Sequence, residues 1–459
     1  MADPFCERLI CERIEREESA MPLIGAVADD LTGATTTGVL LARSKARTAV
    51  FFNEEAAQEA RETASLDAIL ISSNSRPLPK EEAYDKVKSA TNALKAMGVK
   101  YFSKRIDTTL RGGVGVEIDA MLDQLNEDTI AVVVPAMPQS RRILVGGYSV
   151  IDGVALINTP VAQDVRTPVK ENYIPRLLAG QTRRKVGLVT LDQVLKGKEG
   201  IKEALTEVRN DGAGVIIVDA ITLEDVDQIA QACIDLDWDV VAVDPGPFTS
   251  KLAYRRGLIQ EEQPNVPPAA SEAGKTVLIA AGSATPVTKK QMQVLCEDSR
   301  HVRISVEPIP LINGGDEALD KAVELLESDN QPRAILFETA LHGELLNLDE
   351  EDKKRGYAGG MSANRINAGL GTIISQVLEQ VGREKIAGLY TTGGDTMVNV
   401  CYQLGVECIE VMDYVIPQTD VGRLVGKYDG LPVVGKGGLT GNDNTACDIV
   451  ERLFKESAR

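Results

Sequence analysis

Short apolar runs rich in β-branched residues alternate with stretches of helical periodicity along most of the chain. Leu23–Ala28 reads as a strand and Thr32–Arg43 as an amphipathic helix. Thr48–Phe52 and Ala68–Ile71 follow as strands, Lys80–Met97 as a helix, Tyr101–Lys104 as a short strand. Helix Val114–Leu125 leads to the strongly apolar strand Thr129–Val134. Strands Val186–Val189, Gly214–Val218 and Val240–Val243 then alternate with helices Ile201–Arg209 and Leu223–Ile234. This rhythm predicts parallel strands with helices on both faces.

The rhythm stops over Lys251–Lys275, which contains Gln263-Pro264-Asn265-Val266-Pro267-Pro268 and reads as a linker. It then restarts with strand Thr276–Ala281, helix Pro286–Leu295, strand Val302–Val306, helix Glu317–Glu327 and strand Ala334–Glu338. Helix Ala363–Val381, strands Ile386–Tyr390 and Leu431–Val434, and helix Asn442–Phe454 complete it. The expected fold is α/β: two domains, each a mainly parallel sheet flanked by helices, with a ligand cleft between them. The expected boundaries are a charged extension over 1–20, a first domain over 21–250, a linker over 251–275 and a second domain over 276–459.

Composition narrows the function. The 459 residues are 43% hydrophobic and 26% charged, as in ordinary globular proteins. Aromatic residues make up only 4%, too few for the stacking platforms of a single-strand nucleic-acid binder. A formal net charge of −18 repels nucleic acid and anionic lipid, so neither is an expected partner. Any anionic ligand must be held by local Lys and Arg against that field. The seven Cys are scattered, with Cys6 and Cys11 the one close pair, and read as reduced thiols of a cytoplasmic protein. With only two His, His301 and His342, neither a His-based triad nor a His-rich zinc site is expected, and no metal-ligand set is expected. No run approaches the ~20 apolar residues of a membrane span. The first 20 residues are rich in Glu and Arg, unlike a signal peptide.

Parallel α/β sheets bind ligands at the carboxyl ends of their strands. Six segments occupy such positions. Asp29-Asp30-Leu31-Thr32-Gly33-Ala34 offers two carboxylates and a helix start; Asp30 or Thr32 as a plain helix cap is the competing reading. Ser75-Arg76 carries a lone Arg, as compatible with a solvated surface charge as with a ligand contact. Lys104–Gly113 combines three cations, Asp107 and a Gly turn, and Arg111 suits a two-pronged carboxylate grip. Gly282-Ser283-Ala284-Thr285, Thr391–Thr396 and Gly435–Gly441 all follow the linker; clustered Gly lets backbone approach phosphates, which points to a nucleotide in that domain. Gly430–Gly437 imitates a P-loop, but Gly437 replaces the hydroxyl residue and Leu431–Val434 reads as strand. No dinucleotide fingerprint and no protein-kinase signature is present.

Together the six segments resemble the four-carbon acid sugar kinases. The family's A-D-D-x-T-G-A looks like Ala28–Ala34, its S-R like Ser75-Arg76, and its K-x-x-D-[ST]-T-L-R-G like Lys104–Gly112. Its G-S element resembles Gly282-Ser283, its G-G-D-T resembles Gly393–Thr396, and its final Gly-rich loop resembles Lys436–Gly441. There Gly437, Leu439 and Thr440 depart from the usual K-S-G-[GN]-F-G, and the preceding P-G-x-P appears only as Ile416-Pro417-Gln418-Thr419. The resemblance implies an N-terminal acid-sugar domain and a C-terminal ATP domain. It also implies ATP with Mg2+, a substrate of the threonate, erythronate or 3-oxo-tetronate type, and a place in cytoplasmic sugar-acid catabolism.

On this reading Arg76, Lys104 and Arg111 hold the acid's carboxylate, and Asp107 binds hydroxyls or orders the cations. Asp29 or Asp30 orients the reacting hydroxyl and takes its proton. Ser283, Gly393, Gly394, Asp395, Thr396, Lys436, Gly437 and Gly438 hold ATP, and closure of the cleft brings the ligands together. A homo-oligomer is compatible with it. Two rivals are a non-catalytic metabolite sensor and a lyase or aldolase using Lys104 as amine.

Overall fold

The computed structural model describes residues 22–60, 63–163, 167–263, 274–282, 285–314, 318–341 and 345–458. The charged extension over 1–20 and most of the Pro-rich stretch after Gln263 lie outside them. The chain divides into two compact units, one up to Gln263 and one from Pro264.

The first unit is built on eight strands in the order β2-β3-β1-β4-β11-β5-β10-β9. These are β1 (Ile24–Ala28), β2 (Thr48–Phe51), β3 (Ala68–Ser72), β4 (Tyr101–Arg105), β5 (Ile130–Val133), β9 (Val186–Val189), β10 (Val215–Val218) and β11 (Val240–Asp244). Every pairing among them is parallel. Both faces are covered, so β1, β2, β3, β5 and β10 are buried at every residue. That is why they read as continuous apolar runs. One core cluster joins Val132, Val134 and Ile216 to Ile201, Leu205, Ile229 and Phe248 of the covering helices. The chain leaves β1 toward β3 and β2, then crosses to β4 on the other side. The order therefore reverses between β1 and β4, where parallel sheets open a crevice at their carboxyl ends.

The second unit has the order β13-β14-β12-β15-β18-β17-β16. Strands β12 (Thr276–Ala281), β13 (His301–Ser305), β14 (Ala334–Glu338), β15 (Ile386–Thr392) and β18 (Pro432–Lys436) are parallel. Here the order reverses between β12 and β15. A hairpin of β16 (Val406–Ile416) and β17 (Thr419–Gly426) adds two antiparallel strands beside β18. Its tight turn puts Gln418 at φ 67, in the left-handed region that residues other than glycine seldom adopt.

Most expected elements stand within a few residues of their predicted ends. Several elements were not expected, and four of them shape the units most. Helix Pro247–Arg255 covers the first residues assigned to the linker, its proline sitting in the first turn where no amide is lost. Helix Leu348–Arg355 precedes the long helix Met361–Val381. The β16–β17 hairpin was unread because its strands are partly buried on both faces. The fourth is a small antiparallel sheet in the first unit, of β6 (Arg142–Val145), β7 (Tyr148–Ile151) and β8 (Val154–Ala155).

That small sheet is tied down by one carboxylate. Asp219, directly after β10, accepts from Gly146 N at 2.5 Å, Gly147 N at 2.9 Å and Leu191 N at 2.9 Å. Leu144 N adds a bond to Ala220 O at 3.0 Å. Asp219→Ala strands three donors, so a loss of roughly 2–3 kcal/mol is expected. Urea unfolding reads the loss, and hydrogen exchange should rise over residues 142–151 while β1 stays protected.

Candidate active site

In the first unit, four loops meet at the carboxyl edge around the β1/β4 reversal. Asp30 is the N-cap of helix Leu31–Arg43, its Oδ1 accepting from Gly33 N at 2.8 Å. It does more than cap. Its carboxylate also lies 2.7 Å from Arg76 Nη1 and 3.0 Å from Arg105 Nη1. Asp29 is buried and paired with Arg76 Nε at 2.7 Å and Arg105 Nη1 at 3.1 Å. Two carboxylates and two guanidiniums thus form a closed lattice.

The Arg76 loop is pinned against the Asp29 loop by backbone and hydroxyl bonds. Ser73 Oγ donates to Ala28 O at 2.8 Å, Ser73 and Ser75 share a bond of 2.9 Å, and Arg76 N reaches Asp29 O at 3.3 Å. Gly112 stands at φ +86, and a Cβ there would come 3.0 Å from Arg76 O. The Arg111 turn can lie over Arg76 only because that position is glycine.

Strand alternation separates Lys104 from Arg105. Lys104 is fully buried; its ammonium pairs with Glu117 of helix Val114–Leu122 at 2.7 Å and donates to Arg105 O at 2.9 Å. Arg105 turns to the other face and lies along Gly33, where any Cβ would overlap its guanidinium. Asp107 accepts from Arg111 Nε at 2.6 Å and from the Thr109 hydroxyl. Asp244, closing β11, accepts from Gly246 N at 2.8 Å, Phe248 N at 2.6 Å and the Thr249 hydroxyl at 2.5 Å, which fixes the turn beside β4.

Burial alone would raise the carboxyl of Asp29, but Arg76, Arg105 and Lys104 outweigh it and hold the group below its ordinary range. Burial likewise opposes ionisation of Asp107, and Arg76 and Arg111 hold it far below the usual carboxylate range. For Arg76, burial works against the charge, yet Asp29, Asp30 and Asp107 raise its pKa well above the ordinary guanidinium value. Both acids stay ionised at any ordinary pH, so they order the arginines permanently.

The second unit gathers its own three loops after adjacent parallel strands. Gly282 follows β12, and a Cβ on it would overlap Asn367 Oδ1 and Thr396 Oγ1, which bond each other at 2.9 Å. Ser283 lies outside the described residues. Gly393 follows β15 at φ +97, donates to Lys436 O at 2.9 Å and starts helix Gly394–Gln403, whose first turn holds Asp395 and Thr396. Gly435 lies against Met397, whose sulfur a Cβ would overlap.

The loop after β18 is tied inward through its carbonyls. Thr285 and Thr288 hydroxyls donate to Gly438 O at 2.6 and 3.1 Å, and Gln291 Nε2 donates to Thr440 O and Asn442 O at 3.0 and 2.9 Å. Among the described residues, the amides of Gly437 and Gly438 have no acceptor. Free amides at a Gly-rich turn and the open amides of a nearby helix start make an anion cradle. Lys436 is 2% exposed, and its ammonium reaches Gly437 O at 2.7 Å and Thr440 O at 3.3 Å. Burial lowers its pKa to about 8.

The structure thus brings together Asp29, Asp30, Arg76, Asp107 and Arg111 in one unit, and Gly393, Gly394, Asp395, Thr396, Lys436, Gly437 and Gly438 in the other. Lys104 is engaged with Glu117. Sequence reasoning counted Arg105 among the cations of Lys104–Gly113 but gave it no role, although alternation along β4 implies that it and Lys104 serve opposite faces. It also passed over Asn367, in a helix with no local signal, and the Asp244-Pro245-Gly246 turn, which a strand-end Asp before Pro-Gly could have marked.

Two α/β units with separate strand-end sites define the class, a two-domain α/β protein with one candidate site in each half. Residues 24–252 match the model of the sugar-binding N-terminal domain, and residues 278–446 that of the nucleotide-binding C-terminal domain. The chain is 37% identical over 437 residues to a D-erythronate kinase of Heliobacterium modesticaldum, covering 93% of this chain and 96% of the relative. It is 29% identical over 433 residues to a D-threonate kinase of Salmonella typhimurium, covering 92% and 96%. A solved structure of a Haemophilus influenzae protein shares the fold, with a TM-score of 0.70 at 22% identity over 95% of this chain and 99% of that one. The chain belongs to the four-carbon acid sugar kinase family.

Lys104→Met leaves Glu117 charged and alone in the interior, a loss of about 3–5 kcal/mol. Lys104→Met/Glu117→Leu should recover most of it. Urea unfolding of both variants checks this; a fully stable Lys104→Met protein with a raised KM would instead make Lys104 a ligand group.

Proposed function

We propose that this chain transfers the γ-phosphoryl group of ATP to a hydroxyl of a four-carbon sugar acid. The observation that carries the reading is the pairing, in one chain, of an arginine–carboxylate cluster with a glycine-lined anion cradle. The named activities of the 37% and 29% identical relatives support it. A single-ligand sensor has no need of the second site, and an aldolase amine is disfavoured by the Lys104–Glu117 pair.

Phosphoryl transfer is mainly positioning and charge stabilisation. The acid docks in the first unit, with Arg76 and Arg111 on its anionic side. Asp30, 30% exposed at its side chain, faces solvent more than Asp29 does and is the better candidate to orient the reacting hydroxyl and take its proton. Asp29 is too strongly stabilised as an anion to be an effective base. Asp107 keeps Arg111 in place.

ATP phosphates sit on the Gly437 and Gly438 amides, the first turn of helix Gly394–Gln403 and Lys436. Mg2+ bound with the nucleotide would neutralise charge on the transferring phosphates. Asp395, exposed in that first turn, is a carboxylate that fits it. Among the described residues no group of three or more His, Cys, Asp or Glu could hold a metal ion. No helix among them is long and apolar enough to cross a membrane, and a cytoplasmic place follows from the use of ATP.

A coupled ADP assay over erythronate, threonate and 3-oxo-tetronate tests the proposal. ADP release with one acid, and a loss of at least roughly 100-fold in kcat for Asp30→Asn, is expected. ADP release with none of the acids rejects the kinase reading, and near-normal turnover by Asp30→Asn rejects Asp30 as base.

Lys436 gives a second prediction. Below pH 8 it is charged and grips phosphate; above, it loses the proton and KM for ATP should climb by up to about tenfold per pH unit. The sign for stability is opposite. The folded pKa lies below the unfolded one, so the unfolded chain binds the extra proton and stability contributed by this group rises between about pH 8 and 10.5. Lys436→Met should flatten the KM profile, raise KM at pH 7 and not lower the melting temperature there. Steady-state kinetics and thermal melts across pH 6.5–9.5 check all three.

A further inference from the structure

The first unit contains a fourth guanidinium that no motif marked. Arg142 opens β6, just past the turn Pro138–Ser140 that follows β5. In the strand order β4-β11-β5, this turn leaves the same carboxyl edge as Asp107 and the Asp244 turn. Burial works against the charge of Arg142, while the carboxylates of Asp107 and Asp152 favour it from beyond ion-pair distance.

The cations of this edge differ in how they are matched. Arg76 and Arg105 are matched by Asp29 and Asp30, Arg111 by Asp107, and Lys104 by Glu117. Asp244 is taken up by the donors of its own turn. Arg142 has no carboxylate within ion-pair distance among the described residues. Among the described residues its one side-chain hydrogen bond runs from Nη1 to Ser140 O at 3.2 Å. Nε is shut away from solvent with no acceptor. The unpaired edge is therefore Nε–Nη2, which presents the parallel N–H pair that matches the two oxygens of a carboxylate.

A half-buried cation whose Nε is shut away without an acceptor is costly unless something pays it back on binding. The hairpin that carries it cannot easily swing away, because Asp219 fastens its turn at Gly146 and Gly147. We infer that Arg142 is the residue that recognises the substrate's carboxylate, by a two-pronged contact through its Nε–Nη2 edge. Arg76 and Arg111, already matched by the protein's own acids, flank that contact on the anionic side, and Arg105 braces Asp29 and Asp30. The inference rests on the kinase reading for the identity of the acid, and on charge matching for the residue. It explains how a chain of net charge −18 holds a small anion: the protein's own acids balance every other cation here and leave this one to the ligand.

The test compares D-erythronate with its neutral amide as calorimetric probes without ATP, beside the ADP assay. Wild type should prefer the acid strongly. Arg142→Gln should weaken acid binding on the order of 100-fold, leave the amide within about threefold and leave KM for ATP unchanged. Arg142→Lys should restore part of the acid preference. Retention of the wild-type preference by Arg142→Gln overturns the assignment and leaves the kinase reading intact. Acid binding that depends on Arg142 without ADP release from any acid rejects the kinase reading and upholds the assignment. Should Arg142→Gln fail to fold by circular dichroism, Arg142→Lys decides: about tenfold weaker acid binding with an unchanged amide supports the role, and unaltered acid binding overturns it.

Discussion

The lattice of Asp29, Asp30, Arg76 and Arg105 is the constraint on which the first unit's functional edge depends. Its members come from the ends of β1, β3 and β4. Each guanidinium touches both carboxylates, so no single ion pair can break without disturbing the others. Ion pairs of this kind recover their desolvation cost only through near-ideal geometry. The surrounding backbone supplies it, through the helix cap at Asp30, the Ser73 and Ser75 hydroxyls and the close pass of Gly112 over Arg76.

The second unit solves a related problem by other means. Its loops carry almost no paired charge. Hydroxyls of Thr285 and Thr288 and the amide of Gln291 pull the loop carbonyls inward, and the amides of Gly437 and Gly438 stay without acceptors. One unit thus presents charge already balanced within the protein. The other presents uncharged dipoles and one buried lysine. The contrast fits ligands of different kinds, a small hydroxylated acid against a chain of phosphates.

The parallel strands were legible because burial on both faces leaves an unmistakable apolar run, as in Ala68–Ser72 and Val215–Val218. The strand-end positions of Asp29, Asp107 and Gly393 followed from the same pattern. Partners were not legible. Periodicity places Lys104 and Arg105 on opposite faces, but which face holds Glu117 and which holds the aspartates depends on contacts between distant segments. Asn367 and Arg142 reach their places through a long helix and a hairpin, and neither carries a local signal. The β16–β17 hairpin escaped because strands half-buried on both faces show no clean alternation.

The fit of Arg105 along Gly33 bears on how such a sequence can change over generations. The guanidinium fills the space that a side chain at position 33 would need. A methyl group there is tolerable only after residue 105 has shortened, and a shortened residue 105 leaves two acids facing one arginine. The two positions are therefore epistatic, and the order of substitutions matters. Change at either position alone is opposed by steric exclusion in one direction and by uncompensated charge in the other.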